Sequence, residues 1–183
     1  MSFLENIKIK IATSSLEKKM KTVARRKVFN NLESANFVGI LFDATIQNSY
    51  ISARSFATLL EKQNIRVACL GFVLNNEAIT YFSETKGMDF FSIKDVTRLN
   101  FPKSEAVKEF CEKDFDLFFD LSLKHSLTLK YIVGMSRAGF KIGISKPEFQ
   151  NYYDLIINCQ DDKNIDFYIQ QIKHYLSVIK VAS

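Results

Sequence analysis

The sequence has no tryptophan, two prolines and six glycines, and no long apolar run. So few prolines and glycines exclude a disordered or loop-rich chain. The missing apolar run excludes a membrane-spanning helix. No signal-peptide run is present, because Glu5, Lys8 and Lys10 interrupt the apolar residues of the N-terminus. The three cysteines, Cys69, Cys111 and Cys159, lie far apart and form no C-x-x-C. A zinc ribbon or redox pair therefore has no local signal. The thiols read as small buried hydrophobes in a reducing cytoplasm. The patterns G-x-G-x-x-G, G-x-x-x-x-G-K-[ST] and G-x-S-x-G are also missing. No phosphate loop, nucleophile elbow or metal cage is legible, and no cofactor is expected.

What is there is a chain of 183 residues, 47% hydrophobic and rich in phenylalanine. That is enough for one sizeable core. The net charge of +5 is uneven. Residues 1–36 carry eight lysines and arginines (Lys8, Lys10, Lys18, Lys19, Lys21, Arg25, Arg26, Lys27) against Glu5, Glu17 and Glu33. Charges over 37–183 cancel. The division expected is a basic N-terminal helical arm over 1–36 and one α/β domain over 37–183.

Within the arm, Ile7, Ile9 and Ile11 alternate with lysines, which suits a short edge strand. From Ser15 the apolar spacing changes to that of a helix, through Leu16, Met20, Val23, Val28 and Leu32. A basic amphipathic helix is expected over 15–34, packing Leu16, Met20 and Val23 on the domain or on a second copy. Nucleic acid would want more stacking aromatics than Phe29, and an anionic membrane a bulkier apolar face. Both partners are weighed and neither is favoured over a solvated face; a homo-oligomer stays open.

The domain reads as strands separated by helices. FVGILF (37–42) is apolar on both faces, as a central parallel strand should be. A helix over 49–63, capped by Asn48 or Ser49, leads to a strand over 65–74. Asn75-Asn76-Glu77 reads as a hairpin turn into an antiparallel edge strand, 78–82. A short strand over 89–93 and a helix over 104–113 follow. Then come a strand at 115–121, a helix over 126–138 stopped by Gly139, and a strand at 140–144. A further strand, 153–159, follows too soon for an ordinary parallel crossover. The last helix spans 162–180, capped by Asp161 or Asp162.

Candidate site residues sit where the central strands end. Asp43 and Asp120 close the strands 37–42 and 115–121, at the edge where open α/β sheets bind ligands. Thr45 follows the first acid in its turn; Ser122, Lys124 and His125 follow the second. These six form the candidate ligand site, suited to a polar or anionic small molecule. The alternative is that both acids merely cap turns. The two strands are expected to be neighbours, so that the carboxylates come close and the loops diverge. Asp43→Asn and Asp120→Asn are each expected to spare the fold.

FDLFFDLSLKHSLTLKYIVGMSRAGFKIGIS (115–145), with FVGILFD and IRVACLGFV before it, resembles the N-terminal half of bacterial heptosyltransferases. There, an apolar strand ending in Asp leads into a Leu/Ala-rich helix and a K-I-G-type strand. Those enzymes carry Gly-Asp after their first strand, where this chain has Asp43-Ala44-Thr45. Their donor sugar nucleotide is held largely by a second domain. The whole pattern, YDLIIN included, is also similar to a small bacterial family of unknown function. The resemblance implies a single Rossmann-like open sheet, α/β, mainly parallel with an antiparallel edge hairpin and flanking helices. It implies no activity. The reading favours a non-catalytic cytoplasmic binding protein; the alternative is a small enzyme or nucleotide/sugar binder using the same edge.

Overall fold

A computed structural model describes residues 3–74, 87–123, 126–144, 147–159 and 164–179. The apolar runs become β1 (Phe37–Asp43), β2 (Arg66–Val73), β3 (Met88–Ser92), β4 (Leu117–Asp120), β5 (Phe140–Ile144) and β6 (Leu155–Ile157). The helices are α1 (Phe3–Met20), α2 (Gln47–Glu61), α3 (Glu105–Glu112), α4 (Leu127–Met135) and α5 (Ile165–Val178). Two 3₁₀ turns, Ile93–Asp95 and Pro147–Tyr152, bridge the remainder.

The six strands form one sheet in the order β3-β2-β1-β4-β5-β6, and every pairing is parallel. Alternation along the strands divides the apolar side chains between two faces. Ile40, Phe42 and Phe119 meet α2 and α5 through Phe56, Leu60 and Ile172. Leu41 and Phe118 meet α1, α3 and α4 through Leu16, Phe110 and Ile132. The β1–α2–β2 crossover and the β4–α4–β5 crossover thus cover opposite faces and step to opposite sides. The turns after β1 and β4, which are neighbours, diverge there. This is the switch point of a doubly wound sheet.

Several expectations fail for local reasons. Ile7, Ile9 and Ile11 lie on a helix, half exposed, and form no edge strand. Tertiary packing decides this: Ala12 and Leu16, four residues apart, are fully buried on one helical face. The helix seats closely on α4 because Gly134 has no side chain. A Cβ there would lie 2.9 Å from Met20 Cγ. The basic helix over 15–34 is not found either, since α1 stops at Met20. The chain beyond it is an irregular strap, held by the Val28 N–H donating to Gly139 O at 3.2 Å. Phe29 stands edge-on to Phe140, ring centres 4.9 Å apart.

The antiparallel edge hairpin is likewise replaced. The strand paired with β2 is β3, and it runs parallel. The chain between them, 74–87, is long enough for a crossover; the expected strand 78–82 lies outside the described residues. Helix α2 begins at Gln47 with Ile46 at its cap position and no side-chain cap. Helix α4 ends at Met135, before Gly139, whose N–H donates to Phe115 O at 2.7 Å. Helix α5 is capped by Asn164, which accepts from the Asp166 N–H at 2.8 Å; Asp161 and Asp162 lie outside the described residues.

Strand β6 pairs parallel with β5 despite the short connection, which a 3₁₀ turn spans. Asp154 fixes the register. Its N–H donates to Lys141 O at 2.8 Å, and its Oδ2 accepts from the Lys141 N–H at 2.8 Å. Gly143 makes room for the preceding residue, because a Cβ on it would run into the Tyr153 ring. Gly143→Ala is therefore expected to cost about 1–3 kcal/mol. A lower urea midpoint at unchanged slope would register it; an unchanged midpoint would mean that the ring can step aside.

Candidate functional site

The carboxyl ends of β1 and β4 hold the candidate residues. In the register of these strands Leu41 stands beside Asp120. Asp43 lies two residues further along and on the same face. Its Oδ1 accepts from the Thr45 N–H at 3.0 Å and from the Thr45 hydroxyl at 2.6 Å, a local Asx turn. Thr45 is exposed and Asp43 partly so. The Ala44 N–H donates to Phe72 O at 2.8 Å and ties this turn to β2.

Asp120 is placed differently. It is 1% exposed. Its Oδ1 accepts from the Ser122 N–H at 3.0 Å and from the Ser122 hydroxyl. Its Oδ2 accepts from the Tyr153 hydroxyl at 2.5 Å and from Lys130 Nζ at 3.3 Å. Lys130 also donates to the Tyr153 hydroxyl, and its ammonium lies 4.5 Å from the centre of that ring. The Tyr168 hydroxyl donates to the Asp120 carbonyl at 3.2 Å. Burial by itself would raise the Asp120 pKa. The Lys130 charge and the bonds from Ser122 and Tyr153 outweigh it and hold the carboxyl below its ordinary 3.8. Burial and the Asp120 charge push the Tyr153 hydroxyl well above its ordinary value.

Of the six candidates, Asp43, Thr45, Asp120 and Ser122 come to this edge; Lys124 and His125 lie outside the described residues. Sequence reasoning missed Lys130 and Tyr153. A lysine in a helix apolar on nearly every face was the available signal, since a buried ammonium needs a carboxylate.

A second buried lysine lies at the other end of α4. Lys141 is 3% exposed, and its Nζ donates to Val133 O at 2.6 Å. Beside it Asp154 accepts from Arg25, through Nη1 at 3.2 Å and through Nη2, and pairs with Lys27 at 3.3 Å. Burial first, and Arg25 next, pull the Lys141 pKa from 10.5 to about 7, against the opposing pull of Asp154. The unfolded chain then binds an extra proton above pH 7, so stability rises with pH. The expected gain from pH 7 to 9 is about 2 kcal/mol. Above pH 9 the sign reverses. Burial pushes Cys69 and Cys111 up to about 12, so they ionise in the unfolded chain first. Urea unfolding across pH should give a maximum near pH 9, and Lys141→Met should flatten the lower limb. A profile level from pH 7 to 9 would contradict this.

Chemically the edge offers hydrogen-bonding groups more than reactive ones. Cys69, Cys111 and Cys159 are buried, and burial keeps Cys69 and Cys111 as thiols. Among the described residues no cluster of His, Cys, Asp and Glu is placed to hold a metal ion. Among the same residues no helix is long and apolar enough to cross a membrane.

An open parallel α/β sheet of this order defines a Rossmann-like protein. The chain matches DUF6913, described as a family of unknown function, over residues 8–179, and it belongs to that family. No curated protein matches it.

Proposed function

We propose that this chain is a non-catalytic binding protein, built like one half of a glycosyltransferase, with its ligand at the β1/β4 switch point. The observation that carries the reading is the commitment of Asp120. A buried carboxylate occupied by Ser122, Tyr153 and Lys130 braces the edge and does not carry protons to a substrate. Recognition then falls to the exposed end of β1, Asp43 and Thr45, joined in this reading by Lys124 and His125, which follow β4 in the sequence; Ser122 is buried and committed to Asp120. Such a set suits a sugar hydroxyl or another polar group, with the turn supplying positive charge for an anionic one. The strap residues Arg25 and Lys27 are engaged by Asp154, which favours an intramolecular role over a nucleic-acid or membrane contact. Three free cysteines fit a reducing cytoplasm.

The test is a thermal-shift screen against nucleotides and nucleotide sugars. A ligand at a hundred times its Kd adds about 2.7 kcal/mol, roughly 5–10 °C in Tm for a chain of this size. The shift should rise with dose, vanish in Asp43→Asn, and come without release of nucleotide from the sugar. A shift untouched by Asp43→Asn would place the site elsewhere. Sugar-nucleotide turnover would make the protein an enzyme.

A further inference from the structure

Helix α1 carries turns that the body does not cover. Ile7, Lys8, Ile9, Lys10 and Ile11 are all exposed, and burial begins at Ala12 and Leu16. Ile9 continues the helical stripe of Leu16 and Met20, yet it is 39% exposed. The apolar stripe therefore outruns the surface it packs on. Ile7 and Ile11, four apart on the outer face, are 40% and 56% exposed. Isoleucine is an indifferent helix former, so these turns gain their stability from what they pack against.

The charge here is of one sign. The helix and its end hold Lys8, Lys10, Lys18, Lys19 and Lys21 against Glu5 and Glu17. The five lysines are exposed, and none is ion-paired among the described residues. At helical spacing Lys18 shares the face of Ile7 and Ile11, and Lys8 and Lys10 flank it. A second copy of α1 would set lysine against lysine. Nucleic acid would take the charge but offers the isoleucines no apolar phase, and no aromatic stands among 7–11 to stack on a base. An anionic lipid surface takes both: headgroups meet ammonium groups on long stems, and the acyl boundary receives the isoleucines.

We infer that α1 docks this protein on an anionic lipid surface, with Ile7 and Ile11 entering the headgroup–acyl boundary and Lys8, Lys10 and Lys18 meeting lipid phosphates and carboxylates. The helix is not apolar enough to cross, so it lies in the plane of the interface. The basic helix expected over 15–34 lacked a bulky apolar face for this; the helix that forms starts upstream and supplies one. Arg25 and Lys27, held by Asp154, take no part, and the contact is independent of the switch point.

Co-sedimentation of the full chain with two kinds of vesicle tests this, phosphatidylcholine alone and phosphatidylcholine with about 30% phosphatidylserine. Binding to the anionic vesicles should be at least about tenfold tighter and should weaken steeply with salt. Ile7→Ser/Ile11→Ser and Lys8→Gln/Lys10→Gln should each lose about tenfold or more while melting close to the parent. Lys62→Gln/Lys94→Gln, exposed on other elements, removes the same charge and should bind as the parent does. The chain has no tryptophan, so Ile7→Trp supplies a reporter. Its emission should move to the blue on anionic vesicles, and that of Ile51→Trp, exposed on α2, should not. Equal binding to both vesicles, no binding to either, full binding by the isoleucine variant, or an unshifted Ile7→Trp emission would overturn the inference. Tighter binding to a single-stranded oligonucleotide than to anionic vesicles would also overturn it, and would make the partner nucleic acid.

Discussion

Asp120→Asn should cost about 3–5 kcal/mol, the usual effect of breaking a buried ion pair from one side. Asparagine keeps the shape and part of the hydrogen bonding. It leaves the Lys130 ammonium, 2% exposed, without its carboxylate. The sequence alone suggested that this substitution would spare the fold, on the view that the acid stood at an open edge. Its burial reverses that expectation. The double variant Asp120→Leu/Lys130→Met removes both charges and should recover part of the loss, the remainder being the Tyr153 and Ser122 donors left without the carboxylate. Urea unfolding of Asp120→Leu, Lys130→Met and the double variant closes the cycle. Additive losses would mean that the pair is not coupled, and the bracing role assigned to it would fall.

Removing residues 1–34 should cost about 4 kcal/mol or more. Leu16, fully buried, contributes roughly 1.5–3 kcal/mol by itself. The Arg25 guanidinium donates to Ala138 O at 2.5 Å, to Gly139 O at 3.0 Å and to Asp154. A charged hydrogen bond of this kind is worth about 1.5–3 kcal/mol. Its loss also leaves Asp154, 10% exposed, without its main partner beside Lys141. Full-length and truncated chains compared by urea unfolding decide the matter. Equal midpoints would make the segment a tail. A smaller loss in Leu16→Ala than in Arg25→Ala would shift the weight from α1 to the strap.

The parts legible in the sequence are those where one short run decides its own fate. FVGILF and LFF are short apolar runs, each closed by an acid, which suits a strand covered on both faces. From these, the neighbouring placement of β1 and β4 followed by topology. Helix α1 was not legible, because Ile7, Ile9 and Ile11 give a period of two while Ala12 and Leu16 form the buried face. That choice is made by the hollow over Gly134, a tertiary feature. The basic helix failed for a related reason. Arg25 looked like solvated surface, yet its partner Asp154 is 129 residues away. Strand β6 was obscured by its short connection, which the Asp154–Lys141 bonds and the space at Gly143 make feasible. At the site, Asp43 and Asp120 look equivalent in sequence. They differ because Asp120 meets a helix that carries Lys130, whereas Asp43 closes on its own turn through Thr45.

The claim on which the account turns is that Asp120 braces this edge as a permanently charged structural group. Carbon-detected NMR of the Asp120 carboxyl through an acid titration tests it directly. The account predicts a single inflection below pH 3.8, with stability from this group lost only as pH falls through that inflection. An inflection between pH 5 and 8 would reveal a carboxyl poised to exchange protons at neutral pH, and would contradict the non-catalytic reading.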